Sequence, residues 1–180
     1  MTSTKGDALI VGAGVIGTTS AFRLARSDWR VTLFDPAPGS GATWAAAGMI
    51  APSAEISPGE EENFALQRGA LAAWRDVARE IFDATGDVLD IVETGTLLVG
   101  YDASDRRLVA QFAHVAKNFG VETELVTRES HGAFFDGVSP RVPEGLLLHG
   151  DAWLDPDQVV TLLSKANASL GVTVVRQQVL

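Results

Sequence analysis

The chain has 180 residues, 46% of them hydrophobic and 21% charged, with no cysteine and a formal charge of −9. A domain of this size and composition is ordinary globular material and buries about 70% of its unfolded surface. These values exclude a disordered or fibrous chain, a disulfide framework and a thiolate zinc site, and the charge has the wrong sign for a nucleic-acid groove. No apolar run approaches the ~20 residues of a membrane span. Met1 to Asp7 lacks the long apolar core of a secretory signal. The expectation is a soluble cytoplasmic protein with no membrane or nucleic-acid partner.

Ala8 to Val11 is a short apolar run, β-branched in its second half, as a buried parallel strand is. Gly12-Ala13-Gly14-Val15-Ile16-Gly17 follows at once, and Val15 to Arg26 reads as a helix. Gly17, Ala21 and Leu24 share one face of it, and Arg23 and Arg26 suit its negative C-terminal end. Arg30 to Asp35 is a second strand that ends in an acid. Strand, glycines, helix, strand and acid in this order describe a dinucleotide cradle. Gly12 permits the tight turn, Gly14 lets the backbone approach a pyrophosphate, and Gly17 lets helix and strand pack closely. The helix N-terminus presents unpaired N–H groups to the phosphates. Asp35 lies 18 residues past Gly17, where an acid hydrogen-bonds a ribose hydroxyl. Otherwise it is a solvated acid at a strand end. FAD and NAD both use such a unit, whereas a carboxylate at position 35 disfavours the 2′-phosphate of NADP.

Residues 36–52 begin as a Pro/Gly loop and continue as a run of small residues that starts a helix and is interrupted by Gly48. Ser40 and Thr43 offer hydroxyls to phosphates, and successive small side chains let a flat ligand touch the backbone. Gly12–Gly17, Asp35 and Gly39-Ser40-Gly41-Ala42-Thr43-Trp44-Ala45-Ala46-Ala47-Gly48-Met49 together resemble the FAD-dependent D-amino-acid oxidase superfamily. Ala45 to Met49 is most similar to its glycine oxidase branch, which serves thiamine biosynthesis. The resemblance continues through Gly95 to Val99 and Asp151 to Pro156. It implies FAD as cofactor, with Val15 and Ile16 at the pyrophosphate turn and Asp35 and Pro36 beside the adenosine ribose. It also implies Ala42 and Thr43 on the phosphate side and Ala47, Gly48 and Met49 beside the isoalloxazine. The family usually carries Glu where this chain has Asp35, one methylene shorter.

Glu60 to Phe82 reads as one long helix with Ala70, Trp74, Val77 and Ile81 on a stripe, which makes Trp74 a core residue rather than a substrate wall. Thr94 to Tyr101 is a strand. Ser104 to Phe119 is a helix with Leu108, Phe112, Val115 and Phe119 on its apolar side, stopped by Gly120. Val121 to Val126 and Gly145 to His149 are further strands. His114, His131 and His149 have no ligand spacing, so no metal site is expected. Asp155 caps a helix with Pro156 at its first position and Leu162, Leu163, Ala166 and Leu170 inside. Gly171 closes that helix before a strand over 172–176. The resemblance then implies that adenine packs near Val179 and Leu180.

The expected architecture is α/β. A Rossmann-type FAD-binding domain, a parallel sheet with helices, comprises 1–50 and 151–180, and an inserted α+β substrate or cap domain comprises 51–150, both incomplete. The family's chains are longer, and the resemblance places the arginine that binds a substrate carboxylate beyond this chain. It therefore implies the N-terminal half of an enzyme, a homo-oligomer inactive as this piece alone. Its substrates would be a small amino acid or amine and dioxygen, its products an imine and hydrogen peroxide. No residue here is assigned as catalytic. The alternatives are a D-amino-acid dehydrogenase, a sarcosine-type oxidase, an NAD enzyme or a non-catalytic apo domain.

Overall fold

The computed structural model describes residues 4–179. The chain divides into two compact units, one made of 1–48, 74–91 and 154–180 and the other of 49–73 and 92–153.

In the first unit, β1 (Gly6–Val11) and β2 (Trp29–Phe34) run parallel, joined by α1 (Val15–Arg26). β8 (Thr173–Val175) adds in parallel on the far side of β2, giving the order β1-β2-β8. Leu9 pairs with Thr32 and Thr32 with Thr173, so even-numbered residues of β1 share a face with odd-numbered residues of β2. Val31 and Leu33 lie on the face that packs with Ala13 and Ala21, with Ala8, Ile10, Leu24 and Val172 around them. Each fully buried aliphatic side chain here contributes about 1.5–3 kcal/mol. On the other face of β1, Leu9 is 72% and Val11 68% exposed.

α6 (Pro156–Ser169) starts as expected: the Asp155 carboxylate accepts the Asp157 N–H at 2.9 Å, with proline at the first turn. Buried Asn167 of α6 donates to the Thr18 carbonyl of α1 at 3.0 Å. Leu170, expected inside, is partly exposed, and Val159 is buried instead. Arg23 and Arg26 do more than meet the α1 dipole, because both pair with Glu80.

The expected helix over 60–82 is two helices, α3 (Glu61–Arg68) and α4 (Ala70–Thr85), separated at Gly69. Glycine is a weak helix former, and the two stretches bury different partners. Phe64 of α3 belongs to a cluster of the second unit, whereas 74–91 belongs to the first. The segment from Trp74 to Ile91 is thus not part of the inserted unit, although the sequence reading placed it inside 51–150.

In the second unit, β4 (Thr96–Val99), β5 (Thr123–Thr127) and β6 (Glu144–Leu148) form an antiparallel sheet with β6 in the centre. Leu146, Leu147 and Leu148 are all buried, as a central strand covered on both faces requires. β3 (Met49–Ile50) pairs antiparallel with β7 (Ala152–Trp153), a ribbon too short to have a sequence signature. α5 (Ala103–Asn118) opens with a capping box between Asp102 and Asp105. The backbone N–H groups of Asp105 and Ser104 hold the Asp102 carboxyl below its ordinary range. The buried side of α5 centres on Ala116, with Phe112, Val115 and Phe119 packed beside it, and Phe64 meets Phe119 edge-on at 5.2 Å. Leu108, expected on that stripe, is 61% exposed.

Candidate functional site

The site is built at the carboxyl end of β1, where open α/β sheets hold ligands. Gly12 takes φ +96°, a left-handed conformation that turns the chain out of β1, and no atom crowds it. Gly14, the N-cap of α1, has φ −74°, so its smallness serves space and not backbone strain. A Cβ there would stand 3.0 Å from Thr43 Oγ1. Gly17 is tighter still: a Cβ would lie 1.8 Å from the Gly12 carbonyl oxygen.

The loop after β2 straps this turn in place. The Asp35 carboxylate accepts the Ala13 N–H through Oδ2 at 2.7 Å and the Ala37 N–H through Oδ1 at 2.8 Å. Gly39 N–H donates to the Ala13 carbonyl at 3.0 Å. Thr43, buried in the four-residue helix α2 (Ala42–Ala45), accepts the Val15 N–H on Oγ1 at 2.9 Å.

The resulting cleft of about 660 Å³ is lined by Gly12, Gly14, Val15, Ile16, Gly17, Asp35, Ala42 and Thr43, all anticipated from sequence. Its volume lies within the range of small-molecule sites. Ile10, Val11, Ser20, Gly39, Gly41 and Ala46 also line it. Of these, Gly39, Gly41 and Ala46 had a sequence signal, as members of the Gly39–Met49 run, although none was named as a contact. Several anticipated residues lie elsewhere. Pro36 and Ser40 are exposed, and the Ser40 hydroxyl donates to the Ala37 carbonyl. Ala47 and Gly48 do not line the cleft, and Met49 opens the second unit. Val179 is exposed beyond β8, and Leu180 lies outside the described residues.

Among the described residues, Asp35 is the only charged one lining the cleft. A bound anion there would be stabilised by the α1 dipole and by first-turn amides, not by lysine or arginine. The first turn of α1 carries no acid to oppose it. Ile16 and Gly17 have no intrahelical acceptor for their N–H groups. Ile16 is also 81% exposed. The glycine cradle, the free amides and the lone carboxylate fit the pyrophosphate and ribose of an adenine dinucleotide.

Among the described residues no group of three His, Asp or Glu is placed to hold a metal ion. His131 and His149 approach the Glu124 carboxylate at 3.6 and 3.3 Å, a pairing that spacing did not reveal. No described helix is long and apolar enough to cross a membrane.

Gly14→Val is expected to push Thr43 off the Val15 N–H and destabilise the chain by about 1–3 kcal/mol, the scale of an unsatisfied buried donor. Urea unfolding checks this, and an unchanged midpoint contradicts it.

Residues 7–180 match the protein family described as "DAO: FAD dependent oxidoreductase". The chain is 26% identical over 174 residues to glycine oxidase of Bacillus licheniformis, covering 93% of this chain and 44% of that protein. It is 31% identical over 173 residues to the tRNA 5-methylaminomethyl-2-thiouridine biosynthesis bifunctional protein of an Azoarcus species, covering 91% of this chain and 25% of that protein. The crystal structure of glycine oxidase from Geobacillus kaustophilus superposes with a TM-score of 0.82 at 25% identity, covering 93% of this chain and 45% of that one. The chain thus spans less than half the length of these relatives.

Proposed function

Because the chain belongs to the DAO family of FAD-dependent oxidoreductases, we propose that its glycine-lined cleft holds the ADP portion of FAD in an oxidase of a small amino acid or amine, glycine foremost. The observation that carries this reading is the Gly12–Gly17 turn facing Asp35 and Thr43 across one cleft. FAD held there would supply the hydride acceptor for the carbon bearing the amine, with dioxygen as the final oxidant and an imine and hydrogen peroxide as products. The chain's residues bind and orient. The amides of Ile16 and Gly17 and the end of α1 face the pyrophosphate, and the carboxylate of Asp35 retains lone pairs for a ribose hydroxyl. Ala47, Gly48 and Met49 beside the flavin ring, and Val179 beside adenine, complete the proposed contacts.

The 1–48 and 154–180 segments supply the proposed FAD-binding part, and the second unit the substrate side. The glycine oxidase relatives support glycine as substrate, and the resemblance carried by Ala45 to Met49 is the ground for proposing a role in thiamine biosynthesis. The net charge of −9 argues against tRNA, the substrate class in the name of the Azoarcus relative. We also propose a cytoplasmic setting, since nothing in the cysteine-free composition calls for an oxidising compartment. The bare Leu9 and Val11 side chains on edge strand β1 support association with further polypeptide.

The protein as its host organism produces it is expected to be yellow and to release peroxide with glycine, sarcosine or D-alanine. Activity on none of these, with binding of NAD in place of FAD, would sink the reading. The 180-residue chain given FAD is expected to turn over none of these amines, because it spans less than half the length of the glycine oxidase relatives and no cation among the described residues is assigned to a substrate carboxylate. The proximity contribution, up to ~7–11 kcal/mol, is then lost.

A further inference from the structure

The acid at the end of β2 is read above as a ribose contact, yet both of its oxygens are already engaged by backbone. Asp35 Oδ2 accepts the N–H of Ala13, a residue only 1% exposed at the middle of the glycine turn, and Oδ1 accepts the Ala37 N–H. The same Ala13 is held from its other side by the Gly39 N–H on its carbonyl. Asp35 is itself anchored, its own N–H donating to the Val175 carbonyl of β8 at 3.0 Å.

We propose that Asp35 is a positioning residue that holds the glycine turn in its ligand-ready shape before any ligand arrives. A turn built from Gly12, Ala13 and Gly14 has large backbone freedom to lose. Two bonds to an ionised carboxylate, made in the free protein, remove that freedom in advance, so the ligand does not bear the ordering cost. Aspartate has the reach for this geometry. A glutamate carboxylate stands about 1.5 Å further along the side chain, one carbon–carbon bond, and overshoots the Ala13 N–H. The clamp uses two of about four lone-pair sites on the carboxylate, so it is compatible with a ribose contact but independent of one.

The proposal concerns the free chain, and only its second consequence rests on FAD as the ligand. Amide exchange followed by NMR in the cofactor-free chain is the first measurement, on wild type, Asp35→Asn, Asp35→Glu and Asp35→Ala. Asp35→Ala and Asp35→Glu are expected to speed exchange at Ala13 roughly ten- to hundredfold, the scale of a lost bond to a charged group. Core amides such as those of Leu163 and Val126 should be unchanged. Asp35→Asn keeps one acceptor oxygen and is expected to restore part of the protection. The second measurement is an FAD fluorescence titration, with affinity expected to fall in the order wild type, Asn, Glu. If the acid serves the ribose alone, Asp35→Glu binds FAD as tightly as wild type and Ala13 exchange is unaltered, which overturns the clamp. Faster exchange at Ala13 with unchanged FAD affinity overturns its role toward the cofactor. Wild type that binds no FAD at all overturns the function proposed above and leaves the exchange data to decide the clamp.

Discussion

Gly48→Ala is expected to destabilise the first unit by more than about 4 kcal/mol, a loss that marks a backbone collision rather than a lost contact. Gly48 sits at φ +72°, where an L side chain is strained by about 1–2 kcal/mol. The larger part of the loss comes from its neighbour. A Cβ at this position would lie 1.8 Å from the Leu154 carbonyl oxygen and 3.1 Å from Pro156 Cδ. The Leu154 N–H also donates to the Gly48 carbonyl at 3.0 Å, so the two strands of backbone touch and neither can retreat without breaking that bond. For a chain of this length the loss corresponds to roughly 8–16 °C in thermal midpoint. Gly171→Ala is the control. It has the same sign of φ, +77°, and open space around the missing Cβ, so it should cost about 1–2 kcal/mol only. Equal midpoints for the two variants would show that the close approach to Leu154 has no energetic consequence.

Gly17→Ala is expected to run against helix propensity. In the interior of a helix alanine is favoured over glycine by about 0.5–1 kcal/mol, and no positive φ at Gly17 opposes the change. The added Cβ, however, would stand 1.8 Å from the Gly12 carbonyl oxygen and 2.9 Å from its carbon. The turn must open, and with it go the Ala13–Asp35 and Val15–Thr43 bonds. A net loss of about 2–4 kcal/mol in urea unfolding is expected, as overpacking against backbone produces. FAD binding should vanish with it. A variant more stable than wild type would mean that propensity outweighs the contact and that Gly17 is not what brings α1 onto the turn.

Much of the site was legible in the sequence because its parts are local. A strand, a left-handed glycine, a helix start and an acid lie within residues 6–35, and each has a periodicity or a residue type that announces it. The cap of α6 by Asp155 and Pro156 and the αL glycine Gly171 after it are local in the same sense. The split of 60–82 at Gly69 was not read, because a lone glycine inside a helical stretch does not by itself end a helix, and only the different burial partners separate α3 from α4.

What only the tertiary structure decided are the long closures. Asp35 reaches Ala13 across 22 positions, and Thr43 reaches Val15 across 28. Gly48 meets Leu154, and Asp151 accepts the Ser53 N–H across 98 positions. Such contacts leave no period in the sequence, since they depend on where two separately formed elements come together. The residue types at positions 14 and 17 were readable as glycine requirements, and Gly48 only as a break in a run of small residues. Their causes were not: at Gly14 a hydroxyl stands where the Cβ would go, at Gly17 a carbonyl does, and at Gly48 the Leu154 carbonyl adds to a positive φ. The sequence therefore determined that a nucleotide turn exists and which residues form it. The packed chain determined that its acid faces backbone amides, because only folding brings the end of β2 beside the first turn of α1.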